Sequence, residues 1–142
     1  MRYFPRQPIG LSLPVDLKLE SPCTDLPERI RKFFGKTGKW WGTWSSPQSP
    51  GGYEAVLAIK KIPNREEAEI LYYNAPFPNW YIKKGQWETT ATFQEKTDGR
   101  VSLFIPHIPW KTHLECWFEG PVFKGAIYNR FMLSRITWKP LV

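Results

Sequence analysis

From Gly38 onward the chain breaks into short runs of alternating apolar and polar residues, each closed by a turn signal, and no other feature restricts its fold as strongly. The runs lie near 39–45, 53–62, 67–75, 80–84, 86–94, 100–106, 112–119, 122–128 and 131–138. They make eight or nine strands, according to whether 80–94 is one bent strand or two. Lys96-Thr97-Asp98-Gly99, Glu119-Gly120-Pro121 and Ile62-Pro63-Asn64-Arg65 read as tight hairpin connections. Strands joined so briefly must be antiparallel. Eight or so in meander order can close into an up-and-down β-barrel that leaves no edge unpaired. The all-β assignment agrees with an aromatic content of 16%, because Trp, Phe and Tyr favour strands and bury large areas.

The segment before the strands reads differently. Pro5, Pro8, Pro14 and Pro22 make 1–24 an extended arm, and its alternating Leu11, Leu13, Val15, Leu17 and Leu19 suit addition to a sheet edge. A short amphipathic helix is expected over 25–34. Thr24 or Asp25 can cap it, Pro27 and Glu28 suit its first turn, Ile30, Phe33 and Phe34 share a face, and Gly35 can end it. The remainder, 25–142, is expected to be a single domain around one core.

The most informative local motif is Gly42-Thr43-Trp44 on the first strand, just after the helical turn. Here the chain resembles the lipocalin and wider calycin superfamily, whose members carry Gly-x-Trp at this point. In that family an Arg or Lys on the last strand packs across the Trp and closes one end of the barrel. The resemblance therefore implies a lipocalin-like barrel with Gly42, Trp44 and Arg135 at its closed end, Arg130 being the reserve candidate. A guanidinium stacked on a buried indole contributes about 1–2 kcal/mol, so the motif is structural rather than chemical. The order Leu26-Pro27-Glu28, Phe33-Phe34-Gly35, Gly42-Thr43-Trp44 and Tyr72-Tyr73 is also similar to bacterial lipocalin-like domains of unassigned function. Gly-Thr-Trp further resembles avidins and the haem-binding nitrobindins. The latter ligate iron through a His near the C-terminus, whereas the histidines here are His107 and His113, so no haem is expected.

Chemistry-bearing motifs are few. His113 and Glu115 share a strand face, but two ligands fall short of the three protein ligands usual for a catalytic metal. Cys116 and His113 point to opposite faces, which rules out a nucleophile and base pair. Cys23 and Cys116 form no CxxC and leave a single disulfide possible in an oxidising compartment. No cofactor, catalytic residue or metal site is therefore expected. The net charge of +7 is spread from Arg2 to Lys139 with no aromatic-basic motif, which argues against nucleic acid as partner. No run reaches the ~18–20 apolar residues of a membrane span. The N-terminus lacks the apolar run of a secretory signal, pointing to the cytoplasm unless a signal peptide was removed. Oligomeric state is left open.

The leading expectation is thus a barrel that binds a small hydrophobic or amphipathic molecule inside. Tyr72, Trp87, Trp117 and Tyr128 would supply ring contacts and His113 or Glu115 a polar anchor, with some of the set facing outward depending on register. The aromatic segment Tyr72 to Tyr81 suits a rim at the barrel mouth, and the Ser-Pro-Gly stretch 45–52 a loop beside it. The alternatives are a structural or protein-interaction module with a filled barrel and, third, a calycin-type enzyme acting on an enclosed molecule.

Overall fold

A computed structural model describes residues 17–46, 52–75, 85–107, 112–129 and 132–141. Eight strands follow one short helix: α1 (Glu28–Arg31), β1 (Lys39–Thr43), β2 (Glu54–Lys61), β3 (Glu67–Asn74), β4 (Gly85–Glu95), β5 (Val101–His107), β6 (Thr112–Glu119), β7 (Val122–Asn129) and β8 (Met132–Pro140). They close in sequence order into an antiparallel barrel. The expected strand at 80–84 lies outside the described residues, and β4 begins at Gly85.

The three expected turn signals fall between β2 and β3, β4 and β5, and β6 and β7, and local side-chain chemistry explains the first two. The Asn64 side-chain oxygen accepts the backbone N–H groups of Glu66 and Glu67 between β2 and β3. The Asp98 carboxylate accepts both the backbone N–H and the Nε of Arg100 between β4 and β5. That second turn needs a left-handed residue, supplied by Gly99 at φ 86°.

The helical segment is shorter than 25–34. Only Glu28–Arg31 is α-helical, with Pro27 at the N-cap position and no side-chain cap, so neither Thr24 nor Asp25 fills that role. Beyond it Phe33, Phe34 and Gly35 donate to carbonyls three residues back, tightening the chain into successive turns. These turns drop Phe33 into one end of the barrel. Its ring meets Phe93, Phe118 and Phe123 edge-on at 5.1–5.4 Å between centroids. Arg29 and Arg65 both bind the Glu95 carboxylate, pinning α1 and the β2–β3 turn to the end of β4 and holding that carboxyl below its usual range.

Register assigns the faces. Trp40, Leu57, Ile70, Tyr72, Leu103, Leu114, Phe123 and Ile136 belong to the buried interior. A second cluster, Val56, Ala58, Leu71 and Tyr73, lies on the outside of β2 and β3. Leu17, Leu19, Trp41 and Leu141 cover it, and Glu20 donates a backbone bond to Lys60. The described end of the arm therefore shields a sheet face. Residues 1–16 lie outside the described residues.

Two places interrupt the ring. Between β1 and β8, pairing runs through Trp40–Pro140 and Trp41–Lys139, lapses, and returns in the same register at the Ser45–Arg135 bridge. In the lapse the strands cross so closely that a Cβ on Gly42 would stand 2.5 Å from the Thr137 carbonyl oxygen. Between β4 and β5, pairing covers Thr92 to Glu95 and then stops, although β4 continues back to Gly85 along β3 and β5 continues to His107 along β6.

Candidate ligand site

Proline chemistry accounts for the split between β4 and β5. The Lys96 N–H bonds to the Arg100 carbonyl, so alternate β5 residues from Arg100, namely Ser102, Phe104 and Pro106, turn their backbone groups toward β4. Continuing the register would set Thr90 against Pro106. Proline has no N–H, so that rung cannot form, and Pro is tolerated in sheets only where the ladder ends. The Pro106 carbonyl instead accepts the Trp87 indole N–H at 3.3 Å, so a side chain reaches across the split where a backbone bond would otherwise stand.

Trp87 and Thr89 face inward, paired with the buried Tyr72 and Ile70 of β3, yet both are only half-buried. Farther along the same face Ala91 and Phe93 are buried. These two inward positions beside the split are thus partly exposed to solvent, whereas those nearer the Phe33 end are not. Trp87 lies against Tyr72 at 4.5 Å between centroids with the planes 34° apart. Tyr72 has no exposure, and its hydroxyl accepts the Trp44 indole N–H at 2.7 Å. Three rings therefore run from the split to the core. Polar groups beside them are the Thr89 hydroxyl and the buried Asn74, whose oxygen faces Gly85 and whose amide donates to the Ala75 carbonyl. Burial pushes the phenols of Tyr53 and Tyr72 well above the usual tyrosine range, so both are neutral hydrogen-bonding groups.

Of the six expected ligand residues, register brings Tyr72 and Trp87 together inside. The other four are on the outer face. Leu114 and Cys116 take the inward positions of β6, which turns His113, Glu115 and Trp117 outward, and Ile127 does the same for Tyr128 on β7. Glu115 accepts the Ser102 hydroxyl at 2.8 Å, Trp117 donates to Glu119 at 3.0 Å, and His113 packs on Phe104. Glu115, Trp117 and Tyr128 line a groove of about 240 Å³ with Lys96, Arg100 and Ser102. The Trp117 and Lys124 donors hold the Glu119 carboxyl below its usual range.

The closed-end expectation divides similarly. Trp44 is fully buried, but Arg135 does not lie across it. Ser134, Ile136 and Trp138 take the inward positions of β8, so Arg135 is exposed outside, and Trp138 meets Trp44 edge-on at 6.2 Å. Arg130 lies outside the described residues. Both cysteines are free, Cys23 exposed and Cys116 buried. Burial pushes the Cys116 thiol up to about 12, partly offset by the neighbouring Trp138 indole N–H.

Sequence reasoning missed Pro106 and Thr89. A proline inside the run 100–106 was the available signal.

Fold and site define a closed eight-stranded antiparallel barrel split on one side. No family model, no curated protein and no solved structure matches this chain. Among the described residues no helix is long and apolar enough to cross a membrane, and no three His, Cys, Asp or Glu side chains gather where they could hold a metal ion.

Proposed function

We propose that the barrel binds a small hydrophobic or amphipathic molecule that reaches the interior between β4 and β5 and packs on Trp87. The carrying observation is that Trp87 and Thr89, inward-facing, keep solvent exposure on the one flank of β4 where the ladder to β5 is missing. An indole in that position offers a flat apolar surface already backed by Tyr72, while Thr89 supplies a hydroxyl for orientation. The resemblance to lipocalin and calycin barrels belongs to the same reading, supported by Gly42 on the first strand of a meander and by Trp44 immediately after that strand.

Titration with a hydrophobic fluorescent probe, displaced by fatty acids or aromatic compounds, tests this. Saturable binding is expected, weakened at least about tenfold in Trp87→Ala. Pro106→Val restores a backbone donor opposite Thr90 and is expected to slow probe association. Folded protein that binds no probe would overturn the reading.

The outer face of β6 and β7 favours a second reading, a docking module. Tyr128, which lines the groove with Trp117, is 48% exposed, and Val122 at the other end of β7 is 38% exposed. A mass in solution that rises with concentration, and that Tyr128→Ser abolishes, would favour docking over enclosure.

A further inference from the structure

The surface over the seam between β1 and β8 is chemically unlike the interior. On β1 and the residues just past it the outward positions are Trp41, Thr43 and Ser45; on β8 they are Arg135, Thr137 and Lys139. The register sets Trp41 against Lys139 and Ser45 against Arg135, which leaves the two threonines facing one another where pairing lapses. A cleft of about 290 Å³ lies over this lapse, lined by these six side chains together with Gly42 and Ile136. That is near the lower end of small-molecule sites.

The charges at the cleft are unbalanced. Among the described residues neither Arg135 nor Lys139 forms an ion pair, as is also true of Lys18, Lys32, Lys36, Lys39 and Lys96, but only these two of the unpaired cations line a common cleft. Glu119, whose carboxylate feels Arg135, is itself held by Trp117 and Lys124. A strand rises about 3.4 Å per residue, so Arg135 and Lys139 stand roughly 14 Å apart, and their long side chains can converge above Thr137. There a tetrahedral anion meets a forked guanidinium, an ammonium and the hydroxyls of Thr43 and Thr137. Trp41, anchored on its inner edge by Val56, Ala58, Leu71 and Tyr73, offers its remaining surface to an apolar group attached to that anion. No carboxylate is among the eight lining residues, and the nearest by register is Glu54, the cross-strand neighbour of Thr43 on the same outer face.

We propose that the seam cleft binds a small organic phosphate monoester, its phosphoryl group between Arg135 and Lys139 over the threonines and its organic part against Trp41. The site is distinct from that at Trp87: six of its eight lining residues face outward, and all eight belong to the β1–β8 seam, remote from β4.

The test is a titration of isotope-labelled protein with phenyl phosphate, phenol and inorganic phosphate, followed by amide resonances. Saturable shifts confined to 41–45 and 135–139 are expected for phenyl phosphate. Inorganic phosphate should bind at the same residues about tenfold more weakly, and phenol should leave them unmoved. Arg135→Gln with Lys139→Gln, both exposed and outside the core, should reduce the phenyl phosphate affinity at least about tenfold while leaving probe binding at Trp87 unchanged. Shifts that track ionic strength across all the lysines, the same affinity in the double variant, or no saturation by about 10 mM would overturn the proposal.

Discussion

The Trp44 indole N–H donates a 2.7 Å hydrogen bond to the Tyr72 hydroxyl inside the barrel, and neither side chain is reached by solvent. Joining the residue just past β1 to β3 across the β2 between them, the bond ties together segments that share no backbone pairing. Tyr72→Phe keeps the ring and strands a buried donor. A loss of about 1–3 kcal/mol in urea unfolding is expected, with no change in the denaturant slope.

Gly42 has a role that no side chain can share. A Cβ would stand 2.5 Å from the Thr137 carbonyl oxygen and 2.7 Å from Ile136 Cγ1, and the first of these is backbone that cannot swing away. Gly42→Ala must therefore push β1 from β8. It should cost about 1–3 kcal/mol and raise amide exchange at the Ser45–Arg135 bridge before other rungs are affected.

Phe33 is the plug of the helical end, fully buried and touching three other rings. Phe33→Ala should lose about 3–5 kcal/mol in thermal or chemical unfolding. Lys32, whose ammonium stands 4.6 Å over Phe118 on the same turn, is exposed to solvent screening, and Lys32→Gln should change stability by far less.

Alkali should destabilise the fold through its buried weak acids. Cys116 is pushed from 9.0 to about 12, and Tyr53 and Tyr72 are also raised, all by burial of groups that must stay neutral inside. Since the folded values exceed the unfolded ones, this stability is complete below about pH 9 and falls as pH rises toward 12. Each unit between the two values of one group is worth about 1.4 kcal/mol. Urea midpoints should therefore drop with rising pH above about 9, less steeply in Cys116→Ala. A thiol reagent at neutral pH should modify Cys23 alone until the protein unfolds.

Strand order and hairpin positions were legible because Gly, Asn and Asp turn chemistry is local. The alternation of Leu114 and Cys116 with His113, Glu115 and Trp117 was equally plain. Which set faces inward was not, because aromatic rings occur on both faces: Tyr72 and Trp87 within, Trp117 and Tyr128 without. Ring content therefore could not separate a lining from an outer surface. Arg135 shows the opposite situation. Ile136 and Trp138 flank it with apolar side chains at alternate positions, so β8 itself marked it as outward, while the family resemblance placed it against Trp44. The split at Pro106 depends on which β5 groups turn toward β4, and that follows from register rather than from composition.

The interrupted seam also bears on how the molecule forms. Every other pairing joins strands that are neighbours along the chain, whereas Trp41 and Lys139 are brought together from about a hundred residues apart, at an entropic cost about 3 kcal/mol above that of a five-residue hairpin. A curved ribbon of hairpins should therefore assemble first, with its ends meeting last. The Thr37 hydroxyl bond to the Leu141 carbonyl and the Leu141 N–H bond to Lys39 then act as a latch on a ring that is already almost complete.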